Sequence, residues 1–136
     1  MTENHKKALG KLKEIHEADN NVRALILYGS LAVGDAGEKS DIDLYLVVSD
    51  RKYEQIEKDK LFFYGTWDPD DFFGIEIDGK IINRLFLEKA VAEASEPTRA
   101  SFEKAYTLFS HDGDIDNLIK KIAVYPEWDQ TRRTRA

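Results

Sequence analysis

The chain of 136 residues contains no cysteine. That excludes a disulfide framework and any thiolate metal site, and it makes a reducing cytoplasm the default expectation. Long hydrophobic runs are also missing. No apolar stretch approaches the ~20 residues that a membrane-spanning helix needs, so no membrane association is expected. The opening "MTENHKKALGKLKE" lacks the apolar block of a secretory signal. Positive charge is short as well: 20 Lys and Arg stand against 26 Asp and Glu, a formal net charge of -6. Nucleic-acid binders draw much of their affinity from a basic face that neutralises phosphates. Here the one dense basic cluster is "TRRTRA" at the C-terminus, which reads as a solvated end. The balance argues against a DNA or RNA substrate. Internal repeats and low-complexity segments are absent too.

What is present is ordinary globular composition, 42% hydrophobic and 34% charged, on a length that fits one domain with a real core. Residues 3–18 carry Leu9, Leu12, Ile15 and His16 at helical spacing. "VRALILY" (22–28) is a nearly continuous apolar run, as in a buried strand, and "DIDLYLVV" (41–48) is a second. Between them lies a loop, 29–40, with room for a short helix. Residues 50–62 read as a charged surface helix with Asp50 as its N-cap, and 64–71 as a turn-rich connection. In "FFGIEIDGKIINRLFL" (72–87) the Asp78-Gly79 pair between alternating apolar runs predicts a β-hairpin. Helical segments are expected over 88–95, 98–110 (Phe102, Ala105, Tyr106 and Phe109 on one face) and 114–124, with Pro126 ending the last. The three histidines fall in helical or turn contexts away from the candidate site and read as surface or interface residues. The order predicts an α/β (α+β) fold: a mixed sheet of four or five strands with helices packed on one face.

The chemistry concentrates in "GSLAVGDAGEKSDID" (29–43). Gly29 permits close approach of the backbone to a ligand. If Ser30 opens a helix, its free N–H groups suit an anion such as phosphate. Asp41 and Asp43 lie two apart on a strand and project from the same face. Two neighbouring carboxylates repel unless protonated or bridged by a cation, and oxygen-only ligands favour Mg²⁺ or Mn²⁺ over zinc. A phosphate cradle beside such a dyad is what nucleotidyl transfer requires. The bland reading, a strand end and a turn, leaves Asp43 unexplained.

Gly29-Ser30, ten residues, then Asp41-Ile42-Asp43, set between two apolar strands, resembles the GSx10DxD signature of the DNA polymerase β-like nucleotidyltransferase superfamily, at the spacing of its minimal nucleotidyltransferase branch. The resemblance covers residues 22–48 directly. It implies that Gly29 and Ser30 hold the phosphates of a nucleoside triphosphate substrate and that Asp41 and Asp43 are catalytic metal ligands, with Ser40 and Lys39 as further candidates at the nucleotide. It also implies a nucleotidyltransferase fold and transfer of a nucleoside monophosphate, AMP from ATP being the leading expectation, onto a hydroxyl. The acceptor would be a small molecule, as in the aminoglycoside and lincosamide enzymes, or a helical partner protein, as in the minimal nucleotidyltransferase antitoxins.

Active members of the superfamily usually carry a third acidic residue on a later strand, able to act as general base. On the expected hairpin the corresponding slot holds Asn83, which is neutral. In that hairpin Glu76 and Asn83 are diagonal neighbours on one face, so Glu76 is the candidate third catalytic carboxylate beside Asp41 and Asp43. The alternative is a catalytically degenerate module that binds nucleotide or a partner without turnover. The expected organisation is a catalytic domain over 1–95 and a helical extension over 96–136 packed on it. With little chain after Pro126, the acceptor half of the site is expected from a homodimer or a partner chain.

Overall fold

The computed structural model describes residues 2–34, 37, 40–65 and 69–124. The expected contribution of Lys39 and the stop at Pro126 lie outside the described residues. The elements run α1 (Glu3–Glu17), β1 (Val22–Tyr28), α2 (Ser30–Val33), β2 (Ile42–Val48), α3 (Asp50–Asp59), β3 (Phe63–Gly65), a 3₁₀ turn (Pro69–Phe72), β4 (Ile77–Ile82), α4 (Arg84–Glu93), α5 (Glu96–Phe102), β5 (Tyr106–Ser110) and α6 (Ile115–Ala123). The five strands form one mixed sheet in the order β3-β4-β2-β1-β5. β1 is antiparallel to both β2 and β5, β3 is antiparallel to β4, and β2 and β4 are parallel.

Alternation along the strands sorts the core into two layers. Leu25 and Leu27 of β1 and Ile42, Leu44, Leu46 and Val48 of β2 pack with Ala8, Leu9 and Leu12 of α1 and Ile56 of α3. Ala24, Ile26, Tyr45 and Val47 point the other way, onto Leu87 and Ala90 of α4, Phe102 of α5 and Ile115, Ile119 and Ile122 of α6. The helices therefore cover both faces of the sheet, not one. Both central strands are apolar on two sides, which is why 22–28 and 44–48 read as continuous apolar runs. Ile15, counted with the core stripe of α1, is 46% exposed.

Three local expectations fail for physical reasons. The hairpin over 72–87 does not form: residues 77–82 are a single strand running straight through Asp78-Gly79. Gly79 is there because β3 and β2 close on it. A Cβ at this position would come within 2.8 Å of the Tyr64 carbonyl oxygen and 2.9 Å of Leu44 Cδ1, the close approach that glycine inside a strand often marks. The helix expected over 98–110 splits into α5 and the edge strand β5. A continuous helix would hold Phe102 and Phe109 on one face, whereas the fold sends Phe102 to the α4–α6 layer and Phe109 to the α1 layer, and β5 pairs the otherwise open edge of β1. The segment after residue 95 thus adds a strand to the same sheet and is not purely helical. Finally, Ser49, not Asp50, caps α3, its hydroxyl accepting from the Lys52 N–H.

Behind the α4–α6 layer Arg99 is buried, 1% exposed, and fans its guanidinium onto carbonyls of Val91, Ala94, Ile122 and Val124. It satisfies orphan acceptors at the C-terminal ends of α4 and α6, and cations are also favoured there by the helix dipole.

Candidate active site

The register of the three central strands builds the site. Tyr28 on β1 pairs with Asp43 on β2, and Asp43 pairs with Asp78 on β4. The next row is Ile26, Tyr45 and Lys80. Tyr45 and Ile82 belong to the α4–α6 layer, so the alternation places Asp43, Asp78 and Lys80 on that same face. Asp41 precedes β2 by one residue and is exposed, as is Asp78, while Asp43 is half-buried. Three carboxylates thus gather at the end of the sheet where β1 delivers Gly29-Ser30.

Asp43 bears the electrostatic cost. Partial burial pushes its carboxyl above the usual carboxylate range, the Asp78 and Asp41 carboxylates push it further, and the Lys80 ammonium opposes them. Its neighbour Tyr28 is raised in turn by burial first, then by Tyr45, Asp43 and Asp78. Gly29 makes room for this group. Its φ is +78°, and a Cβ built there would overlap the Asp43 carboxylate oxygen. The glycine is required twice, for its left-handed backbone and for the closeness of Asp43. Ser30 opens the single-turn helix α2.

An aromatic floor continues from the acids. The Tyr28 and Tyr45 rings stack at 4.5 Å, and Tyr45 stacks on Phe102 at 5.0 Å, nearly parallel at 8°. Lys80 Nζ lies 6.0 Å from the Tyr45 ring centre. Beyond them opens a cleft of about 360 Å³ lined by Tyr45, Tyr53, Phe62, Lys80 and Phe86 among others.

Of the other expected residues, Glu76 stands beside Asp41 at the start of β4, and Asn83 lies past the strand's far end. Asn83 is the N-cap of α4: its Oδ1 accepts from the Phe86 N–H at 3.0 Å and its amide donates to Asp50 at 3.4 Å. It follows β4 rather than lying on a second hairpin strand. Glu76 lies one residue before β4, exposed, its carbonyl accepting from the Ile42 N–H at 2.9 Å. The hairpin that made Glu76 and Asn83 diagonal neighbours does not exist, and the carboxylate that the fold brings to Asp43 is Asp78. Sequence reading missed it by spending Asp78 on a turn. The signal was Ile75, Ile77 and Ile81 alternating straight through the Asp-Gly pair. Ser40 bonds to protein: its hydroxyl accepts from the Gly37 N–H at 2.9 Å, and its carbonyl accepts from His5. His5 is fully buried and, against expectation, reaches the residue before Asp41.

Among the described residues no three His, Asp or Glu side chains converge as a ready-made metal cage, and no helix is long and apolar enough to cross a membrane. What Asp41, Asp43 and Asp78 offer a cation is an oxygen-only donor set whose negative charge Lys80 offsets only in part, a set that fits Mg²⁺ or Mn²⁺ by chemistry.

A family model, polymerase beta nucleotidyltransferase, matches residues 10–90. No curated protein matches the sequence. Among solved structures, a nucleotidyltransferase-like protein from Exiguobacterium sibiricum is similar at TM-score 0.57 and 12% identity, over 90% of this chain and 40% of that one. The chain thus spans two fifths of that neighbour's length, and the likeness is one of fold. A toxin–antitoxin structure with AMP-PNP is similar at TM-score 0.47 and 16% identity, over 98% of this chain and 94% of that one. A mutant of the toxin–antitoxin pair MntA–HpeT gives 0.43 and 14%, with the same coverage.

Proposed function

The chain belongs to the polymerase β nucleotidyltransferase family, and from that premise we propose that it transfers a nucleoside monophosphate, AMP from ATP, onto a hydroxyl group with Mg²⁺ or Mn²⁺. One observation carries the reading: Asp43 and Asp78 face each other in register across β2 and β4, with Asp41 two residues away and Gly29-Ser30 at the adjoining strand end.

Asp41, Asp43 and Asp78 would hold the metal, which when bound neutralises triphosphate charge and favours departure of pyrophosphate. Gly29 and Ser30 bring backbone close to the phosphates. Asp78, the most solvent-open strand carboxylate of the row, accepts the proton of the acceptor hydroxyl. Lys80, two residues along the same face, supplies positive charge next to the acids. Phe86, partly exposed at the neighbouring cleft, offers flat apolar surface for a ring of either substrate. The exposure of Asp41 and Asp78 leaves the site open to an acceptor on a small molecule or on a partner protein, and a homodimer is a further way to cover it. A nucleotide- or partner-binding module without turnover stays the second reading; Asn83, which motivated it, is the N-cap of α4.

The test uses α-labelled ATP, GTP, CTP and UTP with Mg²⁺ and candidate acceptors, beside Asp43→Ala and Asp78→Ala. Expected is pyrophosphate release with at least one acceptor, lost in both variants. Nucleotide binding without transfer to any acceptor would leave a binding module; transfer that survives Asp78→Ala would remove the base assigned to β4.

A further inference from the structure

The buried histidine of α1 is unused by the chemistry above, yet its bonds end at the metal loop. His5 is 0% exposed. Its Nδ1 lies 2.6 Å from the Thr2 hydroxyl and 3.3 Å from the Thr2 N–H. Its Nε2 lies 2.8 Å from the Ser40 carbonyl oxygen, 35 residues along the chain. A carbonyl only accepts, so Nε2 carries the proton and Nδ1 accepts from Thr2. One tautomer satisfies every contact, and Thr2 fixes it.

Ser40 is the residue before Asp41, and the backbone around it is tied on each side. Its N–H donates to the Gly37 carbonyl at 3.2 Å, its hydroxyl accepts from the Gly37 N–H, and the next ladder bond is Ile42 N–H to the Glu76 carbonyl. The carbonyl between these ties is held by His5 alone among the bonds described. Rotation of that peptide would swing Asp41 and shift Asp43 against Gly29, where there is no spare room. Leaving the N–H of the buried His5 ring without its acceptor is costly, and a rigid support is what sub-ångström placement of a ligand carboxylate demands.

We infer that His5 is a positioning residue for the acidic site: its imidazole clamps the Ser40 carbonyl and so fixes the direction in which Asp41 and Asp43 leave the loop. It touches neither substrate nor metal. Its consequence for metal-dependent nucleotide binding rests on the nucleotidyltransferase reading, whereas the clamp itself does not.

The experiment compares wild type, His5→Leu (similar bulk, no donor) and His5→Gln (an N–H near the position of Nε2). Amide hydrogen exchange is read at Ser40 and Ile42, with Leu12 in α1 and Leu46 in mid-β2 as references. Alongside, the Mg²⁺ concentration giving half of the ATP-induced rise in melting temperature is measured. The expected result for His5→Leu is exchange at Ser40 and Ile42 at least tenfold faster, Leu12 and Leu46 within threefold of wild type, and a Mg²⁺ requirement raised at least tenfold. His5→Gln should restore both to within threefold. Unchanged exchange at Ile42, or equal acceleration at Leu46, would overturn the clamp and leave only a core histidine. Local acceleration with an unchanged Mg²⁺ requirement would overturn the positioning role. If ATP with Mg²⁺ does not raise the melting temperature of the wild type, the nucleotidyltransferase reading fails, and exchange at Ile42 still decides the clamp. Should His5→Leu not fold, Thr2→Val frees Nδ1 from its hydroxyl partner and the same amides are read.

Discussion

Replacing Asp43 with asparagine should make the protein more stable while removing its function. Asp43 and Asp78 are in register on parallel neighbours, and adjacent strands lie about 4.8 Å apart, so the carboxylates stand about 5 Å from each other. Two like charges at that separation repel by ~1 kcal/mol in bulk water and ~3 kcal/mol at an effective dielectric of about 20. Asp78 is exposed and Asp43 half-buried, which places the repulsion toward the lower end, about 1–2 kcal/mol. At ~4 °C per kcal/mol for a domain of this size, Asp43→Asn should raise the melting temperature by about 4–8 °C in EDTA at pH 7. The pH dependence has a definite sign. The folded state holds the Asp43 proton more tightly than the unfolded chain, so the group costs nothing below the unfolded value near 3.9. The cost builds as pH rises and is complete above the folded value. The advantage of Asp43→Asn should therefore vanish below about pH 4. Mg²⁺ should narrow it from the other side by stabilising only the wild type. The assay is thermal melting by circular dichroism from pH 3.5 to 8, with and without Mg²⁺. A variant no more stable than wild type at pH 7 in EDTA, or one whose advantage ignores pH, would refute the like-charge account of this site.

Three further expectations follow from the same geometry. Asp78→Asn should lower nucleotidyl transfer by about 10²–10⁴-fold, the usual contribution of a positioned base, whereas Glu76→Gln should stay within about threefold; steady-state kinetics with the accepted substrate separates them. Asn83→Ala should cost about 1 kcal/mol of stability as a lost N-cap and leave Mg²⁺-dependent ATP binding unchanged, read by denaturant unfolding and calorimetry. His16 is buried against Tyr64, its Nε2 2.9 Å from the phenol oxygen, and burial lowers its basicity. The unfolded chain therefore takes up the proton first, so stability should fall as pH drops below about 6.5, by at most ~1.4 kcal/mol per pH unit, and His16→Gln should flatten that slope.

Much of the site was legible because it is local. Gly29-Ser30 and Asp41-x-Asp43 lie within one strand–loop–strand segment, so their grouping is visible in the chain itself. The two apolar strands were legible for a related reason: a strand covered on both faces must be apolar throughout, whatever covers it. The third carboxylate was not legible, because its partner is set by the sheet. Asp78 meets Asp43 only through the parallel pairing of β4 with β2, and nothing within residues 72–87 announces that pairing. Asp-Gly carries a strong local preference for a turn, and here it lost to the close packing of Tyr64 and Leu44 around Gly79. The same competition turned 106–110 into a strand, since β1 needed a partner on its free edge and Phe109 was needed on the far face. His5 and Ser40 are 35 residues apart, and only the packing of α1 against the sheet brings them into contact. Sequence alone determined the Gly-Ser and Asp-x-Asp grouping and the two strands that frame it. Tertiary structure decided that Asp78 stands beside Asp43 and that His5 reaches Ser40, because register and layer packing are properties of the whole sheet.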